Sequence, residues 1–246
     1  MAVNNEYTGL LDTRQPSGQA HVHALGPAAT SSFAPPATAV PTCAVPRSPY
    51  VRLLKRPLDT VVASVLLAVL SPVFLLAALL VLKDSPGPII FRQRRIGRHG
   101  EPFVLYKFRT MSWNPDREFE FVRDVDGTLR HKVRNDSRVT RVGKTLRRCS
   151  IDELPQLWNI VKGDMSLIGP RPELPQIVER YSSWQHDRHI LRPGLTGWWQ
   201  VSGRSDRPMH EHTDLDIHYV ENASFGMDVK IAFRTFKVVL RGLGAF

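Results

Sequence analysis

The sequence predicts an α+β fold, in which a helix-rich, compact cytosolic domain is anchored by a re-entrant membrane helix hairpin and by interfacial amphipathic helices. The chain has 246 residues, of which 42% are hydrophobic and 23% charged. This composition is globular and excludes collagen-like, coiled-coil and fully disordered proteins. Two further observations support the prediction. The excess positive charge behind the net charge of +10 is confined to one part of the chain, and the same part contains a long apolar run.

The positive charge is confined to one part of the chain. Residues 47–148 carry 21 basic and 9 acidic side chains, whereas the segments before and after each have a net charge of −1. The same stretch contains the long apolar run, and this coincidence favours an anionic membrane surface over nucleic acid as the partner. The sequence has no RNA-recognition or zinc-finger spacing, so we expect no nucleic-acid binding.

The first 48 residues differ in composition from the rest. They are rich in Ala, Pro, Ser, Thr and Gly without any period, which predicts a disordered tail over residues 1–48. They lack the continuous apolar core of a secretory signal, so we expect no export sequence here. The two cysteines, Cys43 and Cys149, match neither a disulfide framework nor a zinc site.

Residues 49–83 are predicted to form the membrane hairpin. Thr60 to Leu82 is a run of 23 uncharged residues, long enough as one helix to cross a bilayer. Ser71 and Pro72 interrupt it, because proline removes a backbone donor and the serine hydroxyl can satisfy a freed carbonyl. Basic residues flank both ends, which favours a hairpin with both ends cytoplasmic over a spanning helix. A buried pair of helices in a soluble core is the alternative.

Residues 84–246 are predicted to form the main domain, which ends in an amphipathic helix. In MDVKIAFRTFKVVLRG the basic side chains share one helical face and the apolar ones fall largely on the other, a pattern typical of a helix in the membrane interface. A helix packed on its own domain fits the pattern equally well. The basic residues are Lys230, Arg234, Lys237 and Arg241, and the apolar ones are Ile231, Phe233, Phe236, Val239 and Leu240.

The densest group of candidate functional residues lies in RRCSIDELPQLWNIVKGDMSLIGPRPEL, residues 147–174. Its spacing alone favours a structural role for the two adjacent acids. Ser150 to Glu153 matches a capping box, and acids in a first helical turn are stabilised by the helix dipole. Asp152 as the cap fits even better, because Pro155 would then be at the third helical position, where no intrahelical bond is lost.

The charges of the same block favour a different role. Pro170, Arg171 and Pro172 would hold one guanidinium between two residues of fixed φ, which suits a phosphate next to an anion. An anionic nucleophile approaches a diphosphate only when cations offset the repulsion, and Arg147, Arg171 and a divalent ion on Glu153 would supply them.

Histidines outside this block give a weaker signal. His210, His212 and Asp214 form an HxHxD run, and His186 and His189 are three residues apart, both of which are spacings found in metal sites. All of them lie in polar stretches, so we predict exposed histidines without a metal.

Six motifs in order resemble the monotopic phosphoglycosyl transferases, bacterial sugar transferases that begin exopolysaccharide, O-antigen and glycoprotein-glycan assembly. The motifs are KRPLD, SPVF, FRQRRIG, LYKFRTM, SIDELPQLWNIVKGDMSLIGPRP and RPGLTGWWQVSGR. The resemblance covers the chain from about residue 55 to its end and implies the minimal catalytic form of the family. It also implies a monotopic protein on the cytoplasmic face of the bacterial inner membrane.

The resemblance implies a transferase with two substrates, a UDP-sugar and polyprenyl (undecaprenyl) phosphate. Asp152 would attack the β-phosphate, expel UMP and form an aspartyl phosphosugar, and Asp152 and Glu153 would together hold Mg²⁺. The alternatives are an inactive membrane-surface scaffold and a glycosyltransferase that releases UDP. The intact pair of acids and Arg171 argue against the scaffold.

The resemblance also implies binding positions around this pair. The sugar is undefined, with glucose or galactose 1-phosphate favoured, and a homodimer is compatible with the resemblance. At the membrane entry, Lys55 and Arg56 would meet lipid headgroups or polyprenyl phosphate, and Ser71 and Pro72 would break the helix. The positions around the substrate phosphates are Lys107, Arg147, Pro170, Arg171 and Pro172.

Overall fold

The computed structural model describes residues 43, 48–113, 122–123, 129–130, 136–202 and 212–240. All of them belong to one compact unit, residues 32–246, whereas a second unit, residues 1–31, lies outside the described residues, as does most of the predicted tail. Cys43 is the exception within that tail. Its backbone N–H donates to Asp187 Oδ2 at 2.7 Å, and its side chain packs against the core. Cys43 therefore belongs to the folded part.

Eight α-helices and three pairs of short strands make up the described part of the chain. The strands are β1 (Ile90–Ile96), β2 (Pro102–Phe108), β3 (Val122–Arg123), β4 (Leu129–Arg130), β5 (Ser166–Ile168) and β6 (Gly194–Thr196). The first two pairs are antiparallel and the pair β5–β6 is parallel. The helices are α1 (Lys55–Val69), α2 (Ser71–Asp84), α3 (Arg141–Arg148), α4 (Gln156–Lys162), α5 (Pro175–Val178), α6 (Trp198–Val201), α7 (Thr213–Asn222) and α8 (Phe225–Leu240). The predicted helix-rich α+β class is confirmed.

The apolar run forms α1 and α2, which meet at Leu70. Ser71 Oγ donates to the carbonyl of Ala68 at 2.8 Å, and Pro72 lies in the first turn of α2, where its missing N–H costs no helical bond. The predicted break at these two residues is confirmed. Among the described helices, none alone is long and apolar enough to cross a membrane. The pair Tyr50–Val69 and Ser71–Asp84, bent by 62°, is long and apolar enough only when its two helices are taken together.

Each arm of this bent pair has one packed face and one exposed face. Ala63 of α1 packs in a cluster with Leu105 and Ile160, and Ala77 and Val81 of α2 pack with a second cluster. The apolar side chains of the other face are not covered within this chain, unlike those of a helix pair buried in its own core. Side chains that are 40–72% exposed are Leu53, Leu54, Leu58, Val61, Val65, Val69, Leu75, Leu76, Leu79, Leu80 and Leu82.

Helix α4 covers the open edge of the β1–β2 hairpin. The buried side chain of Asn159 accepts the N–H of Tyr106 at 3.1 Å and donates to the carbonyl of Val104 at 2.7 Å. An amide side chain thus replaces the backbone partners that an edge strand would otherwise leave unpaired. This contact fixes α4 and the turn before it against the strand that carries Lys107.

Strand β5 leads directly into residues 170–172, and two glycines allow the close approach that fixes this exit. Gly194 N–H donates to the carbonyl of Pro170 at 2.8 Å, and Gly169 N–H donates to that of Thr196 at 2.9 Å. A Cβ at Gly194 would lie 2.1 Å from the nitrogen of Gly169, so no other residue fits there without moving the backbone. The loop therefore leaves the sheet at a defined position.

Candidate active site

Asp152 and Glu153 lie in a tight 3₁₀ turn between α3 and α4. Ser150, just before the turn, has left-handed backbone angles (φ 56°, ψ 20°), and its side chain makes no capping hydrogen bond. Helix α4 begins only at Gln156, after Pro155. Capping by Ser150 with Glu153 and capping by Asp152 itself are therefore both wrong. The two acids are presented by a turn that is not part of the following helix.

Glu153 brings two of the predicted cations together. Its Oε1 accepts from Lys107 Nζ at 3.0 Å and from Arg171 Nη2 at 3.2 Å. Lys107 comes from β2 and Arg171 from the loop after β5, so three separate segments meet at one carboxylate. The three side chains are 13–20% exposed, which leaves them within reach of a ligand.

Asp152 lies next to Glu153, and the charges of the surrounding side chains affect the pKa of its carboxyl group. Burial raises the pKa of its carboxyl group and the neighbouring Glu153 raises it further, whereas Lys107, Arg147 and Arg171 act in the opposite direction. Burial likewise lowers the pKa of Lys107, against the effect of Glu153. Two acids and three cations thus form a cluster with an excess of positive charge, which is suited to an anionic ligand.

Arg147 reaches the cluster from the last turn of α3. Its Nε donates to Thr110 Oγ1 at 2.8 Å, which fixes the guanidinium from one side. Burial lowers its pKa, and Asp152 is the main charge that opposes this effect. Sequence reasoning placed Arg147 near the acids, and the structure puts it there.

Two arginines that sequence reasoning did not select hold the loop that carries Arg171. Arg188 Nη2 donates to the carbonyl of Arg171 at 2.7 Å, and Arg95 Nη1 donates to the carbonyl of Pro172 at 3.2 Å. Each is paired with a buried carboxylate, Asp216 for Arg188 and Glu173 for Arg95. Arg95 lies within the FRQRRIG motif, which was a usable signal, but no local pattern marks Arg188.

Lys55 does not lie where the sequence analysis expected it. It is 7% exposed, and its Nζ lies 2.5 Å from Asp228 Oδ2 and 3.9 Å from Asp59 Oδ2. Ser166 donates to Asp59 at 2.6 Å and Tyr219 donates to Asp228 at 2.7 Å. We call these five residues the polar anchor, which joins α1 to β5, α7 and α8. The expected contact of Lys55 with lipid headgroups is wrong for this position, because the ammonium is turned into the protein.

Arg56 is also engaged by the protein, although it is less buried. Its Nη1 donates to the carbonyl of Ile160 at 2.5 Å and its Nη2 to that of Val161 at 3.0 Å. These are carbonyls of the last turn of α4, where a cation is favoured by the helix dipole. Arg56 therefore fixes the start of α1 to the end of α4.

The prediction of exposed histidines is wrong for the three candidates that the structure describes. His189 is buried, and burial lowers its pKa to about 3 with Arg188 and His186 adding to the effect, so the prediction of an exposed side chain is wrong for it. His186 and His212 are half-buried, and His212 Nδ1 lies 3.8 Å from Asp214 Oδ1. His210 lies outside the described residues.

The acids of the turn fit a magnesium ion by their chemistry. Within the described ranges, no group of three or more His, Cys, Asp and Glu side chains could hold a metal. Mg²⁺, however, prefers oxygen ligands and is commonly bound by one or two carboxylates with substrate phosphates and water completing its shell. Two adjacent, partly exposed carboxylates, Asp152 and Glu153, match that requirement.

Comparison with known proteins identifies the class. The model of the bacterial sugar transferase family matches residues 50–242, so the chain belongs to this family and the prediction from the six motifs is confirmed. The chain is 41% identical over 201 residues to undecaprenyl-phosphate galactose phosphotransferase of Salmonella typhimurium. It is 40% identical over 208 residues to UDP-glucose:undecaprenyl-phosphate glucose-1-phosphate transferase of Escherichia coli.

The matched regions differ in how much of each relative they cover. The two matches above include 79% and 80% of this chain but 42% of each relative, so the chain spans less than half the length of those proteins. Exopolysaccharide production protein ExoY of Sinorhizobium fredii is 42% identical over 198 residues, which are 78% of this chain and 88% of that protein.

Proposed function

We propose that this chain is a phosphoglycosyl transferase that moves a sugar 1-phosphate from a UDP-sugar to polyprenyl phosphate and releases UMP. The observation that carries the proposal is the pair Asp152 and Glu153, presented on a turn with Lys107 and Arg171 bound to Glu153. The names of the Salmonella and Escherichia relatives, both undecaprenyl-phosphate sugar phosphate transferases, support the same substrates. This reaction would be the first membrane step of exopolysaccharide or O-antigen assembly.

The reaction has two displacement steps at one phosphorus atom. In the first, a carboxylate oxygen of Asp152 attacks the β-phosphorus of the UDP-sugar, the bond from that phosphorus to the bridging oxygen breaks, and UMP leaves with the electron pair. In the second, a phosphate oxygen of polyprenyl phosphate attacks the same phosphorus. The bond to Asp152 breaks, and the carboxylate is regenerated with polyprenyl diphosphosugar as product.

The cations around the turn make the first step feasible. A carboxylate and a diphosphate repel one another, and fixed positive groups reduce this repulsion most where water is partly excluded. Lys107 and Arg171 meet at Glu153, one residue from the nucleophile, and Arg147, like these two cations, lowers the pKa of Asp152. Asp152 and Glu153 would hold Mg²⁺, which when bound supplies further neutralisation of the diphosphate.

Counting the phosphates on the released nucleotide tests this reaction against its alternatives. The purified chain in nanodiscs is incubated with undecaprenyl phosphate and a panel of UDP-glucose, UDP-galactose and UDP-N-acetylgalactosamine. We expect UMP in an amount equal to the lipid-linked product for at least one donor. Release of UDP would show an ordinary glycosyltransferase. Absence of product with every donor would favour the scaffold.

We propose further that α1, α2 and α8 seat the domain on the cytoplasmic face of the bacterial inner membrane. Helix α8 supports this because its apolar stripe, Phe225, Val229, Phe233 and Phe236, is 51–62% exposed, whereas Ile231 on another face is fully buried. A helix that only packs on its own domain would bury the phenylalanines. Exposed cations lie next to the stripe, as expected for anionic headgroups.

Cysteine labelling tests the topology of the bent pair. Single cysteines replace the exposed residues Pro49 and Arg98 in a chain that carries Cys43→Ser and Cys149→Ser. If α1 and α2 enter and leave on one side, a membrane-impermeant reagent reaches both positions from the cytoplasm only. Labelling of either position from the periplasm would contradict the re-entrant arrangement, and Pro72→Ala should make that outcome more frequent by straightening the bend.

A further inference from the structure

The loop that carries Arg171 is held through its carbonyl groups. Pro170 and Pro172 have no backbone N–H, so the carbonyls are the main groups by which this loop can be anchored. The carbonyl of Arg171 accepts from Arg188 Nη2 at 2.7 Å, and the next one, of Pro172, accepts from Arg95 Nη1 at 3.2 Å. Two arginines from distant segments therefore grip consecutive peptide units on the C-terminal side of the Arg171 side chain.

Arg188 is itself fixed from several directions. It is 1% exposed, its Nη2 also donates to the carboxylate of Asp216, and its Nη1 donates to the hydroxyl of Tyr181. One planar guanidinium thus bridges a carboxylate, a hydroxyl and the loop carbonyl. A lysine ammonium has no such planar fork and could not make the three contacts in the same directions.

Arg95 is fixed in a comparable way on the other side of the loop. Its Nη1 lies 3.5 Å from Glu173 Oε1, and its Nε and Nη2 donate to Gln93 Oε1 at 3.1 Å and 2.7 Å. Glu173 is almost fully buried, and its backbone pairs with that of Ile96, which lies in β1 next to Arg95. The N–H of Ile96 donates to the carbonyl of Glu173 at 2.9 Å. The loop is therefore tied to β1 by main-chain and side-chain contacts together.

Placing these charges in the interior needs an explanation other than stability. A buried ion pair contributes little net stability compared with apolar side chains of the same volume. Both pairs here converge on the loop whose side chain, Arg171, contacts Glu153 in the active site. The buried charges would then fix the position of the Arg171 guanidinium. This position matters because a small displacement of a charged group strongly reduces its effect on a reacting phosphate.

We propose that Arg95 and Arg188 are positioning residues, which hold the Pro170–Pro172 loop so that the Arg171 guanidinium stays at the acids of the active site. Neither needs to touch the substrate or the reacting atoms, since both act through Arg171. The inference rests on the proposed function for its catalytic consequence, while the grip on the loop is a property of the folded chain alone.

A double-mutant cycle separates positioning from a general loss of stability. Arg188→Lys and Arg95→Lys are each expected to lower the rate of UMP release about 10- to 100-fold in the wild-type background. In an Arg171→Ala background the same changes should have less than about a twofold further effect, because the group they position is gone. Tyr181→Phe, which removes one hydroxyl, should follow the same pattern with a smaller loss.

Two conservative changes serve as matched controls. Arg94→Lys alters the exposed neighbour of Arg95 on the same strand. Arg192→Lys alters an arginine whose Nε donates to the carbonyl of Gly163 at 2.9 Å, the same kind of contact away from the loop. Both should keep the rate of UMP release within about threefold of wild type in either background.

Hydrogen exchange gives a readout that does not depend on turnover. Peptides covering residues 169–174 should exchange faster in Arg188→Lys and Arg95→Lys than in wild type, and at the wild-type rate in the two controls. Equal rate losses with and without Arg171, or unchanged exchange in both lysine variants, would overturn the proposal. If the wild-type chain releases no UMP with any donor, the proposed function fails instead, and hydrogen exchange still decides whether the two arginines hold the loop.

Discussion

The active site and the polar anchor are built from the same kinds of side chain, but they match their charges differently. In the anchor, Lys55 lies between two buried acids, and Asp228 also accepts from the hydroxyls of Tyr50 and Tyr219, both at 2.7 Å. In the active site, Lys107, Arg147 and Arg171 surround the two acids of a partly exposed turn. The anchor thus satisfies its charges internally, whereas the site keeps an excess of positive charge that a ligand can use.

The difference shows which features separate a structural ion pair from a reactive one. Each cluster contains a Lys and two carboxylates, so residue type does not distinguish them. Complete burial with several hydrogen bonds to one acid indicates a structural role, as for Asp228. A raised pKa on a partly exposed acid next to surplus cations indicates a functional one, as for Asp152.

The largest expected effect comes from Asp152→Asn. Turnover should fall by about 10³-fold or more, because the amide cannot attack phosphorus. The midpoint of thermal unfolding at pH 7.5 without Mg²⁺ should stay the same or rise. Burial raises the pKa of Asp152 in the folded state, so its ionised form opposes folding at that pH and a neutral amide removes the opposition. UMP release and thermal unfolding are measured on the same preparation, and loss of both activity and stability would contradict this assignment.

The next effect concerns the polar anchor and is one of stability. Lys55→Met should lower the free energy of unfolding by about 3 kcal/mol, because it leaves the buried Asp228 carboxylate without its cation. Adding Asp228→Asn should recover part of that loss, whereas Lys230→Met, an exposed cation of α8, should have little effect. Denaturant unfolding in detergent measures all four proteins. A normal unfolding free energy with a raised KM for polyprenyl phosphate would restore the lipid role of Lys55.

The smallest effect is a shift in the pH dependence of the first half-reaction. Attack requires the carboxylate of Asp152, so UMP release should fall about tenfold per pH unit below its pKa. Among the neighbouring charges, Lys107 has the largest lowering effect on this pKa. Lys107→Met should therefore move the acid limb of the pH–rate profile to higher pH, in addition to reducing the rate. The exposed Lys162→Met is the matched control and should leave the limb in place. An unmoved limb in Lys107→Met would mean that another group controls it.

The features that sequence reasoning predicted well are those with a local physical cause. Pro72 cannot continue a helix without losing a bond, so the break follows from the chain itself. The family followed from ordered motifs. Arg147 and Arg171 followed from the need to neutralise a phosphate, and Lys107 followed from the family resemblance of the LYKFRTM motif. The structure brings all three cations to the acids.

The features that it missed depend on partners far away in the chain. Lys55 and Asp228 are 173 positions apart, and nothing near Lys55 in the sequence shows that its ammonium is turned inward.

The capping box failed for a reason that was visible locally. With Ser150 as the cap, Pro155 would fall at the fifth helical position, where its missing N–H and its ring would disrupt the turn, and α4 begins after it instead.

Trapping the enzyme without its acceptor tests the central claim most directly. Wild-type chain is mixed with the active UDP-sugar and Mg²⁺ in the absence of polyprenyl phosphate, and both nucleotide and protein are analysed. We predict a burst of about one UMP per enzyme molecule and a mass increase on the peptide that contains Asp152 equal to the sugar phosphate of the donor. No UMP without acceptor, together with no adduct and intersecting double-reciprocal lines, would contradict the account and show that both substrates react in one ternary complex.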